Sequence, residues 1–215
     1  RIYFTRSNFT EGKRGKSKDG TTKLKIYTAE KGDEDWINIE ELAFNTDEYD
    51  YCHPALSAND QILVFASNMK GGYGRMDLYA CYWEGGSWSM PINLGPDINT
   101  SGDEVFPFIH EDGTLFYSSD GGLGLGGLDV FMATQINNQP DSLWEYAYNV
   151  GAPLNSSKDD FGFILKNDEK SGYLSSDRAG TMGKDDIFAF EIPAGFDDVK
   201  PLPLLPIQFC IYDNN

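Results

Sequence analysis

Short apolar runs separated by turn residues organise the chain. Three such runs follow one another at 105–109, 114–118 and 128–133. Asp112-Gly113 lies between the first two, and Asp-Gly between apolar runs is a strong signal for a β-hairpin. No segment of useful length repeats apolar residues at the 3.6-residue period of a helix. The pattern therefore predicts an all-β chain.

The same phrase of residues recurs four times. Each copy has a Ser-Asn or Ser-Asp pair, a glycine-containing loop and then a short strand that ends in an aliphatic and an aromatic residue. The copies begin at Ser7, Ser67, Ser119 and Ser176, and their last strands begin at Lys25, Asp77, Asp129 and Asp186. Those strand starts lie 52 (25 to 77), 52 (77 to 129) and 57 (129 to 186) residues apart. Four short strands in a unit of about 50 residues predict a β-propeller, because only stacked blades bury both faces of such small sheets. A β-sandwich is the alternative, but its turn residues would not repeat in register.

A tryptophan marks the fourth strand of three units. Trp36, Trp88 and Trp144 each stand six positions before an aliphatic residue. The first unit begins at what corresponds to a second strand, and the fourth ends after its third. We therefore expect about three and a half four-stranded blades, belonging to a six- or seven-bladed ring. The predicted domains are a propeller at 1–192, a proline-rich linker at 193–206 and the start of a β-sandwich at 207–215.

Charge and composition exclude some classes of function. The chain has 34 acidic and 17 basic residues, a formal net charge of −17 and a sequence pI of about 4.3. Such a field repels phosphate backbones, so we predict no nucleic-acid partner. No stretch of 18 apolar residues occurs, so we predict no transmembrane segment. The three cysteines show no metal-ligand spacing.

The prominent polar residues recur once in each unit. Asp77, Asp129 and Asp186 occupy equivalent positions. A catalytic residue is needed once, whereas a residue that caps backbone amides in a turn is needed in every unit. We therefore predict structural roles for these residues and no enzymatic activity.

Other candidates for chemistry have simple structural interpretations. Residues 97–104 resemble half of a calcium loop but lack its full twelve-residue spacing. The glycine run at 121–127 joins two strands instead of opening a helix, so a phosphate site is not indicated. His53 is expected to face a central channel, and His110, next to a turn, to be solvated. No Gly-x-Ser-x-Gly nucleophile motif is present. We predict no catalytic residue, metal or cofactor.

One basic insertion interrupts the acidic chain. The loop after Asn8 is eight residues longer than its counterparts and contains Lys13, Arg14, Lys16 and Lys18. Two interpretations remain open. The insertion is a flexible solvated loop, or it is a docking element for an acidic partner, since loops on a rigid scaffold often carry function.

The repeat resembles a known kind of propeller. Residues 113–120 and 127–131 are similar to the TolB-type propeller repeat, and the linkers at 99–104 and 155–160 resemble those of PorE-like Bacteroidota envelope proteins. In that family a propeller precedes a carboxypeptidase-regulatory-like sandwich and an OmpA-like domain that binds peptidoglycan. The resemblance implies a periplasmic, outer-membrane-associated, non-catalytic scaffold for envelope proteins of a type IX secretion or gliding complex. Peptidoglycan would be bound only through domains absent from this chain.

Two alternatives from other classes stay open. One is the propeller of a glycan-processing or peptidase-type enzyme, in which non-repeated acids would converge at the channel. The other is a TolB-like component of the Tol–Pal system. The sequence shows only repeated acids, which favours the scaffold.

Overall fold

The computed structural model describes residues 1–10, 13–135, 144–145 and 147–192, with the side chains of Thr10 and Lys13 left out. The described residues contain sixteen β-strands and no helix. Four antiparallel sheets follow one another along the chain, so the predicted all-β propeller is confirmed. No helix that could cross a membrane occurs in this part of the chain. The predicted linker at 193–206 and sandwich strand at 207–215 lie outside the described residues.

Each of these four sheets is one blade, with its strands hydrogen-bonded in chain order, and a fifth, two-stranded sheet lies in the insertion after Asn8. Blade 1 consists of β1 (Ile2–Ser7), β4 (Leu24–Lys31) and β5 (Trp36–Glu41). Blade 2 consists of β6 (Tyr51–Leu56), β7 (Ile62–Ser67), β8 (Asp77–Tyr82) and β9 (Ile92–Asn93). Blade 3 consists of β10 (Glu104–Ile109), β11 (Leu115–Ser119), β12 (Asp129–Ala133) and β13 (Tyr148–Asn149). Blade 4 consists of β14 (Asp160–Leu165), β15 (Ser171–Ser176) and β16 (Asp186–Glu191). The three-stranded sheets at both ends are those that the repeat predicts; the size of a complete ring stays a prediction.

The central strands of blades 2 and 3 are apolar on both faces because each of these blades packs between two others. In β7, Leu63 and Phe65 join the cluster between blades 1 and 2, while Val64 and Ala66 join the cluster between blades 2 and 3. All four are fully buried. Successive side chains of a strand point to opposite faces, so one continuous apolar run fills two interfaces.

The repeated aspartates accept hydrogen bonds from backbone amides of the loops before them, which is the predicted turn-capping role. Asp77 accepts hydrogen bonds from the Tyr73 N–H at 2.6 Å, the Gly74 N–H at 2.9 Å and Asn93 Nδ2 at 2.7 Å. Asn99 then donates to the Leu78 carbonyl and accepts from the Leu78 N–H. Equivalent amide clamps join Asn45 to Ile26 and Asn155 to Val130.

Blade 1 departs from this scheme by a change of charge. Lys25 stands where the other blades have aspartate, and its Nζ lies 2.7 Å from both Glu41 Oε1 and Asp47 Oδ1. Burial by itself lowers the pKa of Lys25, but the hydrogen bonds with Asp47 and Glu41 outweigh it and raise the pKa. In blade 1, ion pairs of Lys25 with Glu41 and Asp47 thus replace the hydrogen bonds that the capping aspartate makes in the other blades.

The basic insertion is partly ordered. Phe9–Thr10 (β2) and Lys13–Arg14 (β3) form a two-stranded antiparallel hairpin. Beyond it, Ser17, Asp19 and Thr21 close a turn, in which Asp19 Oδ1 accepts from the Thr21 N–H at 2.8 Å. The described part of the insertion is therefore a short hairpin followed by a closed turn, and both interpretations of its role stay predictions.

Candidate functional site

Two faces of the propeller follow from its strand order. The upper face carries the loops between second and third strands and the links from one blade to the next. The lower face carries the hairpins between first and second strands and those between third and fourth strands. The repeated Ser-Asn or Ser-Asp pairs and the loops that follow them lie on the upper face. The most distinctive cavity lies on the lower face.

An aromatic cleft opens between blades 1 and 2 on the lower face. Its volume is about 300 Å³. Its lining consists of Arg1, Tyr3, Leu56, Asp60, Gln61, Trp83 and Trp88. Three aromatic rings thus meet one carboxylate, one amide and one guanidinium at the rim of a single concave surface.

The two tryptophans face each other across a tight hairpin. Trp83 and Trp88 form an isolated antiparallel bridge, and Gly85 and Gly86, both at positive φ, make the turn between them. Their rings lie 5.3 Å apart at 72°, and Tyr3 meets Trp88 at 5.9 Å and 77°. Such edge-to-face contacts are favourable for aromatic pairs. All three rings line the cleft and are partly buried, and Tyr3 and Trp88 also pack against the core cluster between blades 1 and 2.

The polar groups of the cleft are largely free of partners within the described chain. The indole N–H groups of Trp83 and Trp88 and the Asp60 carboxylate make no hydrogen bond there. Gln61 donates through Nε2 to the Asn59 carbonyl at 3.2 Å, which leaves its Oε1 available. Arg1 is paired with Glu30 at 2.7 Å, and its hydrogen bonds with Glu30 and Tyr3 raise the pKa of Arg1, so the guanidinium already has partners. The cleft therefore offers neutral and acidic hydrogen-bonding groups beside aromatic faces.

The same position between blades 2 and 3 has a different character. A polar cavity of about 170 Å³ lies there. Its lining is Ser57, Ala58, Asn59, Ile62, Ile109, His110, Glu111, Asp112, Gly113, Gln135 and Trp144. Gln135 takes the place of Trp83, and Trp144 takes that of Trp88. Trp144 is only 5% exposed and donates through Nε1 to the Gly113 carbonyl at 2.9 Å, so its ring serves the core.

His110 lies at this polar cavity, and the expectation that it is solvated was wrong. The side chain is 2% exposed, because Trp144 and the hairpin before β11 cover it. Its Nδ1 lies 3.0 Å from Asp112 Oδ1, and its Nε2 has no partner in the described chain. Burial raises the pKa of Asp112, but the Thr114 N–H and His110 outweigh that effect and lower it.

The inner strands line a third cavity, of about 340 Å³, at the position expected for the central channel. His53 and Phe106 occupy equivalent bulges with φ of 54° and 52°, and their rings stack at 3.9 Å. Burial lowers the pKa of His53. Left-handed backbone at residues other than glycine costs about 1–3 kcal/mol each. None of the described residues that line this cavity carries a carboxylate, so the paired acids of glycoside hydrolysis are not found there.

The buried acid Glu104 has its hydrogen-bond partners within the chain. Glu104 is fully buried, and its carboxylate accepts from Thr100 Oγ1, the Thr100 N–H and Ser119 Oγ at 2.6–2.9 Å. Desolvation raises the pKa of Glu104 despite these bonds. Residues 97–104, the calcium-like segment, therefore use Asn99, Thr100 and Glu104 for internal bonding.

The basic residues singled out from the sequence lie far from the aromatic cleft in the topology, on the upper face. Arg14 and Lys16 are exposed, and Lys18 approaches Glu48 at 3.7 Å. The side chain of Lys13 lies outside the described part of the chain. Their role in partner binding stays a prediction.

Sequence reasoning missed the residues of the cleft. One signal was present: Trp83 is the single tryptophan outside the series that marks the fourth strands. A departure from a repeat points to a role that the repeat does not require. Nothing in the sequence associates Trp83 with Tyr3 or Asp60.

Comparison with known proteins adds information on the fold. No family model and no curated protein matches the chain. Among solved structures, it is similar to an α-L-arabinofuranosidase from Lactobacillus brevis at 12% identity and a TM-score of 0.51, over 90% of this chain and 69% of that one. A thermostable family-43 glycoside hydrolase matches at 13% identity and a TM-score of 0.44, over 87% of this chain and 66% of that one. A puromycin-hydrolyzing peptidase of Mycobacterium tuberculosis matches at 14% identity and a TM-score of 0.46, over 81% of this chain and 23% of that one.

These likenesses concern the fold, and they correct one prediction. The prediction that the chain is not an enzyme is contradicted by this finding, because the similar structure with a TM-score of 0.51 is an enzyme, an α-L-arabinofuranosidase. We predicted no enzymatic activity because polar residues that recur in every blade are structural. This argument applies to the recurring residues and not to residues that differ between blades. The resemblance to TolB-type envelope proteins stays a prediction.

Proposed function

We propose that this chain is the propeller of a glycan-processing enzyme and that the aromatic cleft binds its carbohydrate. The observation that carries the proposal is the meeting of Tyr3, Trp83 and Trp88 around one cavity, with Asp60 and Gln61 at its rim. Sugar rings have an apolar C–H face that packs on aromatic rings and hydroxyl groups that bond to carboxylates and amides. The cleft supplies both kinds of group.

The proposal also draws support from the fold. The similar solved propellers include an α-L-arabinofuranosidase and a glycoside hydrolase, whose substrates are carbohydrates by name. Glycoside hydrolysis uses a pair of carboxyl groups, and Asp60 is the one carboxylate in the cleft lining described above. Asp60 therefore accounts for hydroxyl binding, and cleavage needs a separate assay.

Calorimetric titration of the 215-residue chain with neutral arabino-, xylo- and cello-oligosaccharides tests the binding part. We expect one of the three series to bind and Trp83→Ala to weaken it at least tenfold, about 1.4 kcal/mol, through loss of a stacking face. Trp36→Ala is the matched control, since Trp36 is a fourth-strand tryptophan, 46% exposed and outside the cleft. Equal losses in both variants, or no binding of any series, contradict the proposal.

Release of reducing ends from the bound oligosaccharide tests the processing part. Turnover that disappears in Trp83→Ala and persists in Trp36→Ala supports a glycan-processing enzyme. Binding without any turnover restricts the cleft to recognition and contradicts the enzymatic part.

A second function, binding of a protein partner, is favoured by the upper face. Tyr73, Leu125 and Met182 stand at the same register in three successive blades, four residues before the capping aspartate, and are 52%, 52% and 98% exposed. Exposed apolar side chains at a regular spacing suit protein contact. We propose that these residues, with the basic hairpin after Asn8, bind an acidic envelope protein.

Pull-down from an envelope extract tests this second function. We expect partners to be lost when Tyr73, Leu125 and Met182 are changed to serine, and reduced when Arg14, Lys16 and Lys18 are changed to alanine. Met90, exposed on the other side of blade 2, provides the control Met90→Ser. Retention of all partners by both variants contradicts the proposal. Periplasmic location and a place in type IX secretion remain predictions from the resemblance.

A further inference from the structure

We infer that the ligand of the aromatic cleft is a neutral, extended oligosaccharide that crosses the Ser57–Ile62 hairpin and continues into the polar cavity between blades 2 and 3. The inference rests on the proposed function and adds the class of glycan and its path. It starts from the position of the two cavities, which share one hairpin as their common wall.

The shared hairpin forms a ridge between the two cavities. Leu56, Asp60 and Gln61 line the aromatic cleft, while Ser57, Asn59 and Ile62 line the polar cavity. A ligand that leaves one cavity over this ridge therefore enters the other. The cleft has a volume of about 300 Å³ and the polar cavity one of about 170 Å³. Two separate small pockets are expected if each binds a different sugar unit of one oligosaccharide.

The ridge is held rigidly by its own hydrogen bonds. Ser57 Oγ donates to Asn59 Oδ1 at 2.7 Å and accepts from the Ile62 N–H at 2.9 Å. The Asp60 N–H donates to the Ser57 carbonyl at 2.9 Å. A preformed ridge loses little conformational freedom when a ligand lies across it, which favours binding.

The polar cavity offers groups for hydroxyls and lacks an open aromatic face. Gln135 is exposed and makes no side-chain hydrogen bond in the described chain. His110 Nε2 also has no partner there, but it is buried in the cavity wall, so Gln135 is the group that a ligand reaches. Trp144 is buried in the core. The aromatic cleft is thus suited to stacking on a sugar ring, and the polar cavity is suited to hydrogen bonds with sugar hydroxyls.

Charge selects a neutral glycan. Asp60 stands on the ridge, Glu84 on the tryptophan hairpin, and Glu111 and Asp112 beside the polar cavity, and all four are exposed. The one cation at the cleft, Arg1, is paired with Glu30. The whole chain carries a formal charge of −17. Uronic-acid or sulfated oligosaccharides would meet like charges along the entire path.

The test measures affinity against length and charge. Calorimetry compares the di-, tri- and tetrasaccharides of the neutral series that binds, together with tri-galacturonate as the anionic probe. We expect the tetrasaccharide to bind about tenfold more tightly than the disaccharide. Tri-galacturonate should bind at least tenfold more weakly than the neutral trisaccharide at low salt, with the gap narrowing in 0.5 M NaCl because salt screens exposed charges.

Variants of each cavity separate the two claims. Gln135→Ala should lower the tetrasaccharide-to-disaccharide affinity ratio from about ten to about two, whereas Trp83→Ala weakens every length. His110→Gln tests the buried imidazole, and Gln135→Ala keeps the claim testable if that variant does not fold. Affinity independent of length, or equal binding of tri-galacturonate, overturns this inference while the proposed function stands. No binding of any neutral sugar overturns both.

Discussion

The junction between blades 1 and 2 and the junction between blades 2 and 3 occupy the same position in the repeat and have opposite uses. At the first, Trp83 and Trp88 are partly buried and line a cleft. At the second, Gln135 replaces one tryptophan, and Trp144 is buried and bonded to the Gly113 carbonyl. One scaffold position therefore lines an open cleft in one blade and packs in the core in the next, and we propose recognition for the open one. The difference teaches that equivalent positions of a repeat can line an open cleft at one junction and fill the core at the next.

The largest test of this comparison is the removal of a tryptophan at each junction. Trp144→Ala should destabilise the protein by about 3–5 kcal/mol, because a large buried side chain leaves a cavity and the Gly113 carbonyl loses its donor. Trp88→Ala should cost about 1–2 kcal/mol, since that ring is only half-buried. Urea denaturation measures both, with Trp36→Ala as the exposed reference. Equal costs at both junctions would show that the two tryptophans have the same role.

A second test concerns the charge reversal in blade 1, next to the cleft. Lys25→Met should destabilise the protein by about 2 kcal/mol at pH 7, because Glu41 and Asp47 lose a charged partner. Lys31→Met, an exposed lysine of the same strand, should have no measurable effect.

The pH dependence of this effect has a definite sign. The Lys25 hydrogen bond lowers the pKa of Asp47 in the folded state. Its stabilisation is therefore complete above the unfolded pKa of about 3.9 and is lost as the pH falls through the folded value. The gap in unfolding free energy between wild type and Lys25→Met should narrow from pH 5 to pH 2. A gap that widens toward acid contradicts the ion-pair assignment.

A third test converts one junction into the other. Trp83→Gln reproduces the residue found at position 135 and should reduce oligosaccharide affinity at least tenfold while changing stability by less than about 1 kcal/mol. Calorimetry and urea denaturation of the same sample measure the two effects. A large loss of stability would mean that Trp83 is a core residue like Trp144.

The smallest expected effect concerns the ridge. Asp60→Asn should weaken binding about three- to fivefold without loss of stability, because asparagine also accepts the left-handed backbone that Asp60 adopts at φ 58°. The same variant should bind tri-galacturonate better than wild type does. Unchanged affinity for both probes would remove Asp60 from the binding surface.

The order of the blades could be predicted from sequence because it rests on local patterns. Alternating apolar residues, Asp-Gly turns and the spacing of Asp77, Asp129 and Asp186 act within about 50 residues, and each capping aspartate bonds to amides three or four positions before it. The sequence shows that Lys25 stands where the other units have aspartate. It does not show that Lys25 forms ion pairs with Glu41 and Asp47.

The candidate site could not be predicted in the same way. Tyr3, Asp60 and Trp83 belong to different blades or hairpins, and only the packing of blade 1 on blade 2 brings them to one cavity. His110 was predicted to be solvated because it is a polar residue beside a turn. In the structure it is buried, next to Trp144 at the junction of blades 2 and 3.

The sequence by itself determined the class of fold, the period, the strand count of each described blade and the turn-capping role of its repeated acids. Hydrogen bonding and side-chain alternation over short distances are sufficient for these. Only the tertiary structure decided which blade junction is open, which tryptophan is available and which acids are already satisfied. Those properties depend on the relative placement of residues up to about 85 positions apart, from Tyr3 to Trp88, which no local pattern records.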